Sequence, residues 1–422
     1  MRSTIARAPF ALHGIAAATL ICTAACTPSQ PSFTAQGDWM GTITTDGDVT
    51  TVVNESGSVW GGTATLREEA SIGVESGDRP YMFGLVTSIW GTDEAIYVVD
   101  LQARAVRVFD HDGRWIGSIG RPGQGPGEFL RPETVMTAVD GRVFVYEGYS
   151  SRVNVYSPGG EPLETWSLGG VRASGRPVLH PDGRVFLRSI DPGPDQAEHH
   201  DDTLGMQEVN AGGAVGPPFT SSFPVGLNAR LTAVEGTSAN VPFAAAHRSA
   251  LVPAGAFVGG FSNEYAFEIH WLDGRVTRIE RHGDPVPVSA DLREYHRRRV
   301  EAQLRARNPG RSWDGAEIPA HKPAFAALIP DQSDRILVYR EGPSRRIEGC
   351  EDHPANPFPG CWRTDWFWDL FTLEGKYLGD VISPVGWAST IFVRDDMWLM
   401  EVQDEAGTIM VKRYRLILPG GP

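Results

Sequence analysis

The sequence predicts an all-β protein made of repeated four-stranded sheets. Apolar residues alternate along short segments; for example, Val106 and Val108 share one face of a strand and Arg107 takes the other, and a period of two is typical of β-strands. The 48 glycines and 31 prolines indicate a chain that reverses direction often. A unit of strands joined by a glycine turn recurs six times along the chain. Together these observations predict a six-bladed β-propeller with four antiparallel strands in each blade.

The six units are recognised by an apolar strand, a polar link, an alternating strand, a glycine turn and another strand. They begin at Ile96, Val143, Val185, Ala256, Ile336 and Met397. The turn glycines Gly113, Gly160, Gly213, Gly274 and Gly375 occupy positions where a hairpin needs positive φ. The first four lie about 50 to 60 residues apart, the interval expected of a blade. The longer interval before Gly375 predicts an insertion.

The sixth unit ends near Leu418, one strand short of a complete blade. The segment 41–56, "GTITTDGDVTTVVNES", has strand character and is expected to supply the missing strand. Such closure by strands from both ends of the chain would remove two exposed sheet edges. The alternative is a hairpin packed elsewhere. The propeller is therefore expected to span residues 40–418, with residues 419–422 as a tail.

The stretch 120–132, "GRPGQGPGEFLRP", could be mistaken for a phosphate-binding loop. It lacks the Lys that follows the last Gly of a P-loop, and Glu128 stands where the dinucleotide fingerprint starting at Gly123 needs Gly. Its prolines fix φ and its glycines allow tight reversals. We therefore interpret it as the connection between two consecutive blades.

This connection, with "VRVFDHDGRWIGSIG" before it and "GRVFVY" after it, resembles the repeat of NHL-type six-bladed β-propellers. Together with "YVVD" and the N-terminal features described next, the sequence is similar to exported bacterial six-bladed propeller lipoproteins. The resemblance is sharpest over residues 96–160. It implies a propeller that serves mainly as a scaffold for recognition.

The N-terminus predicts export. Arg2 and Arg7 precede the apolar run "FALHGIAAATLIC" and the small residues "TAAC", the order typical of a signal peptide. Cleavage after Ala25 would leave Cys26 first, and the segment resembles a bacterial lipoprotein signal, which implies lipid attachment at Cys26. The alternative is an ordinary secretory peptide cut at the same place. Residues 1–25 are thus expected to be a signal peptide and residues 26–39 a polar tether, with the mature protein periplasmic or associated with the outer membrane.

Two further cysteines flank a Pro-rich segment. Cys350 and Cys361 enclose "EDHPANPFPG", and in an oxidising compartment they are expected to form a disulfide. A zinc site with His353 is less well supported, because no fourth ligand lies at the usual spacing.

The formal net charge of −14 argues against nucleic-acid binding, which requires a basic face. We expect the protein to bind an envelope protein, a peptide or a glycan, without covalent chemistry and without a cofactor. A structural role in an envelope complex is a further alternative.

Two segments are candidates for the binding surface. Residues 289–308 show helical spacing of apolar residues, with Ser289 as N-cap, and Arg297, Arg298 and Arg299 could present guanidinium groups to an anion. Trp366 and Trp368 share one strand face and could grip a sugar or a peptide. The alternatives are an ordinary solvated helix face and burial of the indoles between blades.

An enzymatic alternative rests on resemblance to the gluconolactonase and paraoxonase propellers, which hold calcium or another divalent ion in the channel and act on lactones or esters. Acidic and amide side chains near the ends of candidate inner strands would be the ligands: Asp100, Glu147, Asp191, Asn263 and Glu341. The sequence contains no G-x-S-x-G elbow and no HExxH, so serine-hydrolase and zincin mechanisms are unsupported.

Overall fold

A computed structural model provides the fold of the chain. The described residues are 37–169, 176–180, 182–191, 202–210, 212–224, 230–231, 239–307, 309–310, 313, 317–350, 361–386, 388, 390–404 and 406–421. The predicted signal peptide and Cys26 lie outside the described residues. Within them, no helix is both long and apolar enough to cross a bilayer.

Three strands precede the first complete blade, and three blades of four strands follow. The N-terminal strands are β1 (Met40–Asp46), β2 (Val49–Ser56) and β3 (Thr65–Ile72). Blade I comprises β4 (Val86–Gly91), β5 (Ile96–Asp100), β6 (Ala105–Phe109) and β7 (Trp115–Ile119). Blade II comprises β8 (Thr134–Thr137), β9 (Val143–Glu147), β10 (Arg152–Tyr156) and β11 (Pro162–Ser167). Blade III comprises β12 (Val178–Leu179), β13 (Val185–Asp191), β14 (Thr203–Val209) and β15 (Val215–Pro224).

The second half of the ring contains three more blades and one helix. A short pair, β16 (Arg230–Leu231) and β17 (Ala239–Asn240), precedes blade IV. Blade IV comprises β18 (His247–Val252), β19 (Ala256–Phe261), β20 (Ala266–Trp271) and β21 (Val276–Arg281), and helix α1 (Ala290–Arg307) follows it. Blade V comprises β22 (Ala327–Pro330), β23 (Arg335–Arg346), β24 (Trp362–Thr372) and β25 (Tyr377–Ile382). Blade VI comprises β26 (Ile391–Arg394), β27 (Met397–Gln403), β28 (Ile409–Ile417) and β3.

These elements confirm the predicted six-bladed propeller, its four-stranded antiparallel blades and its single helical insertion. The turn glycines have the predicted positive φ, from +82° at Gly113 to +97° at Gly375. Ser289 caps α1, since its Oγ accepts a hydrogen bond from the Leu292 amide at 3.2 Å. The stretch 120–132 connects blade I to blade II, as expected.

The ring is closed by an N-terminal strand, but the segment predicted for this role is the wrong one. β3 pairs with β28, from Ile72 opposite Val411 to Thr65 opposite Ile417. Residues 41–56 instead form the β1–β2 hairpin, in which β2 runs parallel to β21 at the outer edge of blade IV. The error has a physical reason: both segments alternate, and strand character alone does not tell which of two neighbouring strands lies opposite β28.

The chain between these strands crosses the outside of blade V, so that residues 40–72 form a continuous N-terminal belt over blades IV, V and VI. The Val59 and Trp60 amides donate to the Tyr377 and Leu378 carbonyls at 3.1 and 2.8 Å. Buried Asn54 ties the belt to the blades, since its amide donates to the Gly375 carbonyl at 3.0 Å and its carbonyl accepts from the Tyr377 amide at 2.8 Å.

The core consists of six apolar wedges, one between each pair of adjacent blades. Between blades V and VI, for example, Trp368 packs against Trp398, with ring centroids 6.0 Å apart. Because both faces of the second strand of blade I are covered by neighbouring blades, β5 is buried at all five positions. Each wedge stabilises the ring through burial worth about 25 cal/mol per Å² of apolar surface.

Candidate functional site

The ring has two faces that differ in their connections. The links between first and second strands, and between third and fourth strands, lie on one side, the turn face. The links between second and third strands, and those from one blade to the next, lie on the other side, the loop face. Because every blade has the same antiparallel order, this assignment holds around the whole ring. The insertions that interrupt the repeat therefore belong to the loop face.

Two of these insertions pack together on blades IV and V. α1 lies between these blades in sequence, and the β23–β24 hairpin extends beyond its blade to the pair Arg346 and Trp362. The predicted disulfide is confirmed, with Cys350 and Cys361 joined across this extension. Tyr295 of α1 lies against Trp362, with ring centroids 6.4 Å apart. We call α1 and the extension, residues 344–350 and 361–364, the loop-face cap.

A buried lysine supports the cap from below. The Lys322 side chain is fully buried; its Nζ donates to the Gly342 carbonyl at 2.8 Å and to Ser344 Oγ at 2.7 Å, and it lies 3.1 Å from the Glu341 carboxylate. Burial lowers the pKa of Lys322, and the Glu341 charge opposes that shift. Lys322 therefore holds the chain entering blade V against the extended hairpin.

His296 faces the body of the protein from α1. Its ring centroid lies 4.8 Å from that of Phe243 and 5.2 Å from that of Tyr295. Burial lowers the pKa of His296 to about 4, and the nearby positive charges of Arg299 and Lys322 add to the shift. The imidazole is therefore neutral at pH 7, and in that form it packs against Phe243, which lies in the segment before blade IV.

Asp100, a candidate metal ligand, binds groups of its own blade. Its carboxylate accepts hydrogen bonds from the Gly84 and Leu85 amides at 3.2 and 3.4 Å, and it lies 2.8 Å from the Arg107 guanidinium. Asp100 is 1% exposed. It anchors the loop that leads into β4 to the end of β5.

Glu147 has the same role in blade II. One carboxylate oxygen accepts from the Leu130 and Arg131 amides, both at 2.7 Å. The other accepts from Asn154 Nδ2 at 3.2 Å and pairs with Arg152. Glu147 is fully buried. Asp100 and Glu147 therefore have the same structural role: each binds the loop that enters its blade to the end of the second strand.

The remaining metal candidates are dispersed. Asp191 ends β13, and its side chain lies outside the described residues. Asn263 is exposed, while the neighbouring Ser262 accepts a hydrogen bond from the Ala246 amide at 3.0 Å. Glu341 pairs with Lys322. In the part of the chain that the structure describes, no three His, Cys, Asp or Glu side chains are grouped as metal ligands.

The helix arginines occupy different environments. Arg297 and Arg298 are exposed and lie 2.9 and 3.8 Å from Glu294, one turn earlier on the helix. Arg297 also lies 3.6 Å from Glu301. Arg299 is half-buried and donates to the Tyr295 hydroxyl at 3.4 Å. The first two guanidinium groups therefore face solvent within local ion pairs, whereas the third belongs to the packing of α1.

Trp366 and Trp368 do share one face of β24, as predicted. Both rings contact Tyr339, at centroid distances of 4.7 and 4.0 Å. Trp368 is buried between blades V and VI, and Trp366 is half-buried at the loop-face end of the same row. Only Trp366 of the pair has surface left to offer a ligand.

A charged cluster between blades IV and V was not predicted from the sequence. Asp369 is fully buried, and one of its oxygens binds Arg281 at 2.6 Å, Arg340 at 2.7 Å and the Tyr265 hydroxyl at 2.5 Å. The Arg281 guanidinium also lies 4.0 Å from the centroid of the Tyr377 ring. Burial raises the pKa of Tyr265 well above its usual value, and the Asp369 charge adds to the shift. The two arginines are therefore paired within the wall between the blades.

The centre of the ring holds a cavity of about 160 Å³ between the inner strands of blades I, II, III, V and VI. Most of its walls are apolar, formed by side chains that include Ile89, Val135, Val178, Ile329 and Phe392. The cavity is therefore a small compartment on the axis, with a volume below the roughly 300 Å³ at which pockets for drug-sized ligands begin.

Two charged residues line this cavity, Arg176 and Asp331. Asp331 is neutralised by Arg335, whose Nε lies 2.6 Å from its carboxylate. Arg176 precedes the inner strand of blade III and keeps solvent-accessible surface. Burial by the surrounding protein lowers its pKa, and the Glu401 carboxylate of blade VI, on the opposite side of the ring, opposes that shift. Arg176 thus brings a positive charge to the axis of an acidic protein.

Sequence reasoning missed Arg176, Lys322 and Asp369. Each is a single charged residue beside or within an apolar strand, which is a weak signal in a sequence with 21% charged residues. Arg176 lies two residues before the inner strand of blade III. The six recurring units each begin at a second strand, so the repeat gives no signal for this position.

Comparison with known proteins agrees with the fold. The family model DUF5128, described as a 6-bladed beta-propeller, matches residues 80–171. This stretch contains β4 to β11, which are blades I and II. No curated protein matches the chain in sequence.

Solved structures similar to the chain have low sequence identity. A member of the DUF4221 family from Bacteroides vulgatus is 11% identical, with 85% of this chain and 99% of that chain covered and a TM-score of 0.49. A protein described as exported, from Bacteroides fragilis, is 9% identical, with 84% and 94% covered and a TM-score of 0.42. A gluconolactonase from Xanthomonas campestris is 10% identical, with 79% and 87% covered and a TM-score of 0.39.

Proposed function

We propose that the chain is an exported, lipid-anchored propeller of the bacterial envelope that binds a protein or peptide partner with its loop face. The observation that carries the proposal is the asymmetry of the ring. The additions to the repeat that the structure describes in detail, α1 and the disulfide-joined hairpin extension, stand on one face. Loops held by a rigid scaffold are the usual place for recognition, because they vary without disturbing the core.

The exposed apolar side chains of the two faces support the same choice. Near the inner and second strands, the loop face exposes Met82, Leu85, Tyr149 and Phe261. Tyr149 is 78% exposed, and an accessible tyrosine is a common anchor in protein interfaces. On the turn face, Val139 and Leu272 are exposed among the described residues, and Trp115 and Leu163 are exposed at the turn-face ends of the outer strands β7 and β11.

A binding role also agrees with the state of the acidic residues. The Asp100 and Glu147 carboxylates accept hydrogen bonds from backbone amides and pair with arginines. Their lone pairs hold loops in place, so these residues serve the scaffold that presents the loop face.

Site-specific photo-crosslinking in the envelope tests the partner and the face together. A photoreactive phenylalanine analogue replaces Tyr149 on the loop face, and the same analogue replaces Val139, which is 90% exposed on the turn face, as the matched control. We expect a discrete protein adduct from position 149 and none from position 139. Equal adducts from both positions, or an adduct that a glycosidase removes, would contradict the proposal.

The anchor is tested by metabolic labelling with a fatty acid. Lipid attachment at Cys26 predicts that the wild-type protein and Cys22→Ser are labelled and that Cys26→Ser is not. Label retained by Cys26→Ser would refute the anchor and leave the proposed partner binding untouched, since the two experiments are independent.

A further inference from the structure

The central cavity is suited to a small molecule, and we propose that it binds a short amphipathic monocarboxylate, whose apolar part lies between the inner strands and whose carboxylate pairs with Arg176. This site is separate from the loop-face partner proposed above and does not depend on it. Three observations support it: the volume of the cavity, the chemistry of its walls and the position of its charge.

The volume sets the size of the ligand. The cavity measures about 160 Å³, and an apolar cavity of about 150 Å³ is large enough to hold benzene. A molecule of about eight non-hydrogen atoms therefore fits, whereas a sugar chain or a peptide does not. Five blades contribute to the walls, so a ligand at this position would contact most of the ring.

The walls select an apolar body. Ile89, Val135, Val178, Ile329 and Phe392 come from five different blades and line the same space. Transfer of an alkyl chain from water to such walls is favourable by about 0.8 kcal/mol per CH₂ group. An inorganic anion would gain nothing from this surface.

The charge selects a carboxylate. Among the cavity-lining residues Asp331 is paired with Arg335. The other charge is the exposed Arg176 guanidinium, with which the Glu401 carboxylate across the ring interacts electrostatically. Within the described residues, no carboxylate lies within ion-pair distance of Arg176. A guanidinium presents two parallel N–H donors that match the two oxygens of a carboxylate. In partly desolvated surroundings such a charge-assisted pair is stronger than it is in water.

Isothermal titration calorimetry of the purified full-length protein tests the site with hexanoate as the probe. Hexanamide, which has the same shape and no charge, tests the role of Arg176, and inorganic phosphate tests the role of the apolar walls. We expect hexanoate to bind, hexanamide to bind at least tenfold more weakly, and phosphate to give no heat above dilution.

Three variants locate the binding. Arg176→Gln removes the charge, and Val178→Phe fills the cavity; each is expected to weaken hexanoate binding at least tenfold. Arg176→Lys keeps the positive charge but lacks the two parallel N–H donors of the guanidinium, and we expect it to bind hexanoate with intermediate affinity. Arg142→Gln makes the same change of charge on the turn face and is the matched control, with affinity equal to wild type. Circular dichroism spectra identical to wild type show that each variant is folded.

Several results would overturn the proposal. Hexanoate that gives no heat with the folded wild-type protein would show that the cavity does not take a monocarboxylate. Unchanged affinity in Arg176→Gln or in Val178→Phe would place the binding elsewhere. Phosphate binding as tight as hexanoate binding would reveal a simple anion site in which the apolar walls have no part.

Discussion

The two faces of the ring are made from the same blades but are closed by different kinds of contact. On the turn face, Asp140 Oδ1 accepts a hydrogen bond from the Arg142 amide at 3.0 Å, and Oδ2 accepts from Arg142 Nε at 2.7 Å. The same local arrangement recurs in Asp182 with Arg184 and in Asp273 with Arg275. Each of these turns is closed within five residues.

On the loop face, contacts join residues that are distant in sequence. Glu147 binds the amides of Leu130 and Arg131, and Lys322 binds the Gly342 carbonyl and Ser344. The turns at Asp140, Asp182 and Asp273 are stabilised by their own residues and therefore repeat, whereas the turns of blades V and VI are also joined to each other, since Ser333 Oγ donates to the Asp395 carboxylate at 3.0 Å. The loop face can differ from blade to blade because each loop is held by one or two long-range polar contacts.

Among single substitutions, we expect the largest loss of folding stability at Glu147, whose carboxylate binds a loop-face loop to the second strand of blade II. Glu147→Ala removes a fully buried carboxylate and leaves the Arg152 guanidinium and two amides without their partner. Loss of one partner from a buried ion pair costs about 3–5 kcal/mol. Equilibrium unfolding in urea should show a loss of stability of this size.

Asp140→Ala is the matched turn-face control, because it removes a partly exposed carboxylate whose bonds are local. We expect it to cost about 1 kcal/mol or less. Equal losses in the two variants would show that the faces do not differ in the way proposed here.

Removal of the disulfide should have the next largest effect. In the chain-entropy model, a cross-link that closes a loop of this length stabilises the fold by about 3 kcal/mol. Cys350→Ala with Cys361→Ala is therefore expected to lower the unfolding midpoint, with the faster hydrogen exchange confined to the loop-face cap. Wild-type protein treated with a reductant is the control and should behave in the same way. Faster exchange spread over all six blades would show that the cap is not a separable addition.

The fold was predictable because its signals are local. Turn glycines such as Gly113, the N-cap Ser289 and the Cys350–Cys361 spacing each act within a few residues and are visible in a sequence. The resemblance to six-bladed propellers rested on the stretch 96–160, and the matching family model covers the same blades.

The site was not predictable to the same degree, because its contacts depend on which blades become neighbours. Asp100 and Glu147 were expected at the ends of inner strands and lie instead at the ends of the second strands β5 and β9. Their hydrogen bonds to incoming loops follow from tertiary structure alone. The binding role proposed for Arg176 depends on a cavity that five blades form together. The prediction that residues 41–56 close the ring was wrong for the same reason. The pairing of β3 with β28 is a long-range contact, which strand character in the sequence does not reveal.

A pH effect of moderate size is expected beneath the loop-face cap. The pKa of His296 is lowered to about 4 in the folded protein, against about 6.5 in the unfolded chain. The unfolded chain therefore takes up the proton first as the pH falls, and stability is lost between about pH 6.5 and pH 4. With allowance for partial exposure, the loss should reach about 2 kcal/mol.

The measurement for this prediction is urea unfolding between pH 7 and pH 4 of the wild type and of His296→Gln, which cannot take up the proton. The variant should show a flatter pH profile in this window, with slower exchange of α1 amides at pH 4 relative to the wild type. Parallel profiles would mean that another group loosens the protein in acid.

The smallest effect on stability is expected from the exposed arginines of α1, and it is the one that bears most directly on function. Arg297 and Arg298 form helix-surface ion pairs with Glu294, and such pairs contribute about 0.3–0.5 kcal/mol each. The double variant Arg297→Ala, Arg298→Ala should therefore unfold within about 1 kcal/mol of the wild type. If these guanidinium groups meet an acidic partner, the yield of the crosslink from position 149 should fall severalfold, and added salt should reduce the wild-type yield to the same level. If neither the variant nor salt changes the crosslink yield, the two arginines do not contact the partner and only keep the helix surface polar. Tyr149 and its apolar neighbours would then be the binding surface.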